Sequence, residues 1–150
     1  MEMVVLGAFN GNWRLYYKKG IKVKFSVGEL LLAGSHKWKK EDVDAITLRN
    51  LEDLCRKVNA LGYLPPMYAS SCLRSLKDQL RINPKAIGSS HLYGCAVDIA
   101  DKDGKLAKWL LAHKDLLEKC GLYMEDPKYT DGWVHLQTYA PKSMNRIFIP

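Results

Sequence analysis

The chain has no apolar run approaching the roughly 18 residues that a membrane helix needs. Its longest candidate is the brief stretch from Leu30 to Ala33, so a membrane-spanning helix is not expected. The opening Met1-Glu2-Met3 lacks a basic segment followed by a long apolar one, so no secretory signal is expected either. Cysteine is scarce: Cys55, Cys72, Cys95 and Cys120 form neither a Cys-x-x-Cys pair nor the dense framework of a secreted mini-protein. They read as reduced and mostly buried, which suits synthesis in a reducing cytosol. Internal repeats, low-complexity segments and recognisable nucleic-acid-binding motifs are also missing.

What is present fits one ordinary domain. At 150 residues, with 47% hydrophobic and 26% charged side chains, the chain can build a single core and has no reason to be disordered over most of its length. A formal charge of +7 favours a polyanionic partner, whether nucleic acid, an anionic cell wall or a membrane surface. The basic residues are spread along the chain, clustering only at Lys18-Lys19 and Lys37 to Lys40, as a solvated basic surface would be.

Periodicity divides the chain. Val4 to Phe9 and Trp13 to Tyr17 flank Asn10-Gly11, a hairpin signal, and after the turn at Lys18-Lys19-Gly20 the residues Ile21, Val23, Phe25 and Val27 alternate as in a strand. A three-stranded meander is expected, with Trp13, Tyr16 and Tyr17 packed on the core or forming a binding face. Ser26 and Glu29 have capping-box spacing ahead of a short helix ending near Gly34, and Ser35 to Asp42 reads as a surface loop. From Thr47, the residues Leu48, Leu51, Leu54, Cys55, Val58 and Leu61 recur at helical spacing up to Gly62. Strands are expected at Met67 to Ser71, Cys95 to Ile99, Leu122 to Met124 and Trp133 to Gln137, with a brief helix through Ile82. One further helix should run from a cap at Asp103 through Leu106, Trp109, Leu110, His113, Leu116, Leu117 and Cys120 to Gly121. This order favours an α+β fold, helices packed on a mainly antiparallel sheet, over a βαβ repeat.

The segment Ser89-Ser90-His91-Leu92-Tyr93-Gly94-Cys95-Ala96-Val97-Asp98-Ile99 carries the chemistry. Strand alternation puts Asp98 with Ala96 on one face and Cys95, Val97 and Ile99 on the other, so Cys95 reads as core packing. A carboxylate in an apolar strand needs a counter-charge or a metal. The turn at Gly94 can bring His91 near it, and Trp133-Val134-His135 places a second imidazole in an apolar strand. Two imidazoles and a carboxylate make a catalytic zinc set, leaving a fourth position for water. His36, in a basic loop, and His113, on a helical stripe, read as structural.

The pattern Ser-x-His-x-x-Gly-x-Ala-x-Asp at Ser89, His91, Gly94, Ala96 and Asp98, followed by Trp-x-His ending at His135, resembles the zinc D-Ala-D-Ala carboxypeptidase and L-alanyl-D-glutamate endopeptidase family. Ser70-Ser71-Cys72-Leu73-Arg74-Ser75 is similar to that family's strand-to-Arg-Ser segment, although Ser71 and Cys72 occupy positions that are more often aromatic or glycine. The likeness spans about residues 47 to 140 and is greatest to phage lysis enzymes. It implies a hedgehog-type peptidase fold: a zinc peptidase core over 46–150 and a β-rich N-terminal extension over 1–45 on the same domain. It also implies Zn2+ on His91, Asp98 and His135, with Arg74 as substrate and transition-state stabiliser and Ser89 as a substrate contact. The implied activity is hydrolysis of peptidoglycan stem peptides, as an L-alanyl-D-glutamate endopeptidase or alternatively a D-Ala-D-Ala carboxypeptidase. An inactive zinc-containing wall-binding protein is a further alternative. The expected protein is a monomer, made in the cytoplasm of a bacterial or phage-infected cell and acting at the anionic wall after release, with no nucleic-acid partner. Family members place an acid three residues before the final histidine, where this chain has Gly132. Glu125, at a strand end, is therefore the leading general base, with Asp131 the alternative and Asp126 behind both.

Overall fold

The computed structural model describes residues 24–85 and 88–150, and before them only the backbone of the pairs 8–9, 12–13, 17–18 and 21–22. Those pairs are β1 (Ala8–Phe9) with β2 (Asn12–Trp13), and β3 (Tyr17–Lys18) with β4 (Ile21–Lys22), each antiparallel. Their registers set Phe9 opposite Asn12 and Lys18 opposite Ile21, so Lys18 lies in a strand rather than in the expected turn, and the conformation of the turn residues themselves lies outside the described residues. Any joining of the two ladders into a three-stranded meander, and the packing of Trp13, Tyr16 and Tyr17, lie outside the described residues.

The expected strand through Val27 stops sooner, because Ser26 caps a helix. Its hydroxyl accepts from Glu29 N, and α1 runs over Val27–Leu32. The segment that begins at residue 24 packs on the same core as the helices and strands that follow it: Phe25, Leu30 and Leu31 are buried within it, and the Asn59 side-chain amide both accepts from Phe25 N and donates to Phe25 O, each at 2.9 Å. Helix α2 spans Ala45–Asn59, starting two residues ahead of the expected Thr47 because Asp44 accepts from Thr47 N at 2.8 Å. It buries Leu51, Leu54, Cys55 and Val58. Burying each large apolar side chain contributes roughly 1.5–3 kcal/mol, which is what keeps an amphipathic helix of this length folded.

A five-stranded sheet runs in the order β5 (Ala69–Ser71), β6 (Ala96–Ala100), β8 (Trp133–Gln137), β7 (Tyr123–Glu125), β9 (Ile147–Phe148). Every pairing is antiparallel except β7 with β9, so the fold is α+β with a mainly antiparallel sheet. The final strand β9 escaped the sequence reading: two residues offer no alternation to detect. Val97, Ile99, Val134, Leu136 and Met124 join Leu51, Leu54 and Val58 of α2 in the core, while α3 (Leu76–Ile82) begins at Ser75, whose hydroxyl accepts from Asp78 N.

The expected long helix from Asp103 to Cys120 is two helices, α4 (Lys105–Ala112) and α5 (Lys114–Cys120), broken at His113. There the backbone leaves the helical region (φ −126°, ψ 44°), and the ring stacks on Trp109 with Nδ1 2.7 Å from the Trp109 carbonyl. Asp103 is not the main cap. The buried Asp101 carboxylate accepts from Leu106 N and Ala107 N at 3.0 and 2.9 Å, whereas Asp103 accepts only from Lys105 N. All four cysteines are free thiols; Cys55, Cys72 and Cys95 are buried and Cys120 is half-buried. Among the described residues no helix is long and apolar enough to cross a membrane.

Candidate metal centre

Strands β6 and β8 are neighbours at the middle of the sheet, and their register sets Asp98 opposite His135. Side chains alternate, so Ala96, Asp98 and Ala100 share a face with Trp133, His135 and Gln137, while Val97, Ile99, Val134 and Leu136 point into the core. The two alanines beside Asp98 are too short to cover it.

His91 arrives from a 3-10 turn over Ser90–Tyr93, which Ser89 caps by accepting from His91 N at 3.3 Å. Gly94 follows at φ 72°, where a Cβ would meet Leu51 Cγ at 3.0 Å and the Thr47 carbonyl at 3.1 Å. Only glycine takes both that conformation and that space. The chain can therefore turn tightly against α2 and enter β6, leaving His91 over Asp98.

The three side chains meet at one atom. His91 Nε2 lies 3.3 Å and His135 Nδ1 2.9 Å from the same oxygen, Asp98 Oδ1, and all three groups are buried. His91 Nδ1 is 2.7 Å from the Cys72 carbonyl, which can only accept, so the proton sits on Nδ1 and the Nε2 lone pair faces Asp98. Such a cluster of lone pairs is stable only with a cation between them, either protons or a metal. His91, Asp98 and His135 could hold a metal ion: one ligand atom from each lies within 4.8 Å of the others.

Electrostatics agree with that reading. Burial works against charge on Asp98, but the hydrogen bond from His135 Nδ1 leads the effects that outweigh it and hold the carboxyl well below the usual carboxylate range. Burial depresses His91, keeping it neutral. Burial also opposes charge on His135, yet Asp98, Gln137 and Glu125 together push it above the ordinary imidazole value. Cys72 contributes only its carbonyl, since burial drives its thiol far up.

Arg74, between β5 and α3, is committed on three nitrogens: Nη2 donates to Asp98 Oδ2 at 2.9 Å, Nε to Ser71 Oγ at 3.1 Å and Nη1 to Gln79 Oε1 at 3.2 Å. It thus occupies the carboxylate oxygen that the histidines leave free. Glu125, at the end of β7, places Oε2 4.0 Å from His135 Nδ1, and burial raises its pKa. Asp131 is exposed in the turn before β8, and Asp126 is spent on accepting from Lys128 N. Of the three acids before His135, the structure brings only Glu125 to the centre. A cleft of about 540 Å³ opens over these groups, its wall including Ser89, Trp133, Tyr139 and Lys142.

No model of a known protein family matches this chain, and no curated protein matches it. Among solved structures, the crystal structure of Serratia marcescens L-Ala D-Glu endopeptidase ChiX is similar at 23% identity and a TM-score of 0.46, covering 69% of this chain and 93% of that one.

Two residues of the centre were missed in the sequence. Gln137 is 2.8 Å from His135 Nε2, and the buried Gln79 braces Arg74. Gln137 was detectable in principle, because position i+2 of a strand returns to the face of His135. Gln79 carried no local signal, as its contact depends on how α3 docks.

Proposed function

We propose that this chain is a zinc-dependent peptidase acting on the stem peptides of bacterial peptidoglycan, most simply as an L-alanyl-D-glutamate endopeptidase. The observation that carries the reading is the meeting of two imidazole nitrogens at one buried carboxylate oxygen, with a second carboxylate 4.0 Å from one of those nitrogens at the edge of an open cleft. The motif Ser-x-His-x-x-Gly-x-Ala-x-Asp with Trp-x-His supplies the substrate class by resemblance.

His91, Asp98 and His135 would hold the ion. Zinc bound there supplies Lewis acidity, polarising a carbonyl and acidifying water. The remaining chemistry belongs to the chain. Glu125 takes a proton at Oε2 from the water that adds to the scissile carbonyl and returns it to the leaving amine, a role helped by the burial that raises its pKa. Arg74 holds Asp98 by its outer oxygen, and because only three of the five guanidinium N–H groups are used, two remain for a substrate carboxylate or developing oxyanion. The Ser89 hydroxyl accepts from His91 N and keeps its own hydrogen for substrate. The net charge of +7 favours adsorption to an anionic wall, where the protein works as a monomer.

The test is digestion of purified peptidoglycan with and without a chelator, followed by mass spectrometry of new termini. New L-Ala carboxyl ends that vanish with chelator are expected. Release of terminal D-Ala alone would reassign the activity to a carboxypeptidase, and bound zinc without any cleavage would leave an inactive wall-binding protein.

A further inference from the structure

We infer that Gln137 is a positioning residue that selects Nδ1 of His135 as the metal-facing nitrogen. The inference rests on the zinc reading above. Its geometry is a short chain of hydrogen bonds ending on the backbone. Gln137 Nε2 donates to the Tyr139 carbonyl at 2.7 Å, and a carbonyl can only accept, so that end of the amide is its NH2 group. The other end, Oε1, therefore faces His135 Nε2 at 2.8 Å and must accept from it. In the neutral ring the one proton is then held on Nε2, and the nitrogen that gives up its hydrogen to a metal is Nδ1, the atom 2.9 Å from Asp98 Oδ1.

The device is rigid because Gln137 is buried and its backbone is paired on both sides, to Ala96 of β6 and Tyr123 of β7. A free imidazole can flip or change tautomer, and Nε2 would then face the ion from the wrong point. Gln137 removes that freedom, as the Cys72 carbonyl does for His91. A neutral amide does this without adding a third carboxylate beside Asp98 and Glu125.

The experiment compares the full chain with Gln137→Met, which keeps length but loses the strong acceptor, and Gln137→Glu, which keeps an acceptor. Zinc affinity is measured by chelator competition, and the metal-bearing ring nitrogen is read from long-range 1H–15N correlations of the histidine rings. Gln137→Met should bind zinc about 10- to 100-fold more weakly, the usual cost of losing an outer hydrogen-bond partner of a metal-ligating histidine. Gln137→Glu should bind at least as tightly as the parent. In the parent and Gln137→Glu, the His135 signals should show metal on Nδ1 and hydrogen on Nε2; in Gln137→Met that preference should be lost. Melting of the metal-free proteins separates a folding defect, because a merely structural role would lower the midpoint without changing which nitrogen binds. Equal zinc affinity in Gln137→Met with His135 still bound through Nδ1 would overturn the inference alone. Failure of the parent to bind zinc would overturn the zinc reading with it.

Discussion

Replacing Glu125 with glutamine removes a proton acceptor while changing little else. The two side chains are nearly isosteric, and Glu125 makes no direct hydrogen bond to His135, its Oε2 standing 4.0 Å from Nδ1. The metal-facing atoms of His91, Asp98 and His135 are untouched, so zinc occupancy should be unchanged. Turnover should fall roughly 10²- to 10⁴-fold, the usual loss on removing a general base, which is about 2.7–5.4 kcal/mol of activation free energy at 1.36 kcal/mol per decade. Stability should move the other way. Burial raises the Glu125 pKa in the folded state, so between the unfolded and folded values the native protein binds the extra proton, and its stability falls as pH rises through that window. Above it, metal-free protein carries a desolvation penalty that glutamine lacks, and Glu125→Gln should melt no lower than the parent. The assay is release of L-Ala carboxyl termini from soluble peptidoglycan fragments, with zinc measured on the same samples. Near-normal turnover in Glu125→Gln together with collapse in Asp131→Asn would refute the reasoning and transfer the role to Asp131.

Purified protein should carry about one zinc per chain, with His91→Ala and His135→Ala each losing it; full occupancy in both variants by elemental analysis would overturn the ligand assignment. In metal-free protein His135 is raised and His91 depressed, so as pH falls the imidazolium proton that zinc has to displace appears on His135 before His91. Calorimetry in buffers of different ionisation enthalpy should show that this release fades as pH rises above the His135 value, and a release that instead grows with falling pH through a second histidine would count against a neutral His91. Asp101→Ala should destabilise the fold by about 0.5–2 kcal/mol, the range for loss of a helix cap, with Asp103→Ala costing clearly less. Equal losses in chemical denaturation would mean that the two amide bonds at Asp101 do not set the start of α4.

Much of this architecture is written in local pattern. Helical spacing of Leu51, Leu54, Cys55 and Val58 and strand alternation around Asp98 and His135 depend only on backbone periodicity, and so could be read along the chain. The Ser26 cap could be read for the same reason, because its acceptor reaches an amide three residues away. The choice of Asp101 over Asp103 could not be read, because both lie near the start of α4 and only the path of the chain through the positive φ of Gly104 decides which carboxylate meets the free amides. The break at His113 was hidden too, since its ring satisfies the Trp109 carbonyl while the apolar stripe continues across it.

The residue types at the centre and their faces were thus determined by sequence alone: two imidazoles and a carboxylate, each polar in an apolar setting. What only the tertiary structure decided is which atoms meet. The register of β6 against β8 sets Asp98 opposite His135 across 37 residues of chain, and the Gly94 turn against α2 places His91 Nε2 on the same oxygen. Docking of α3 and β5 commits Arg74 to the other oxygen, and the pairing of β7 beside β8 brings Glu125 within 4.0 Å of His135 Nδ1. Those choices rest on hydrogen-bond register and packing between distant segments, for which periodicity within a segment carries no information.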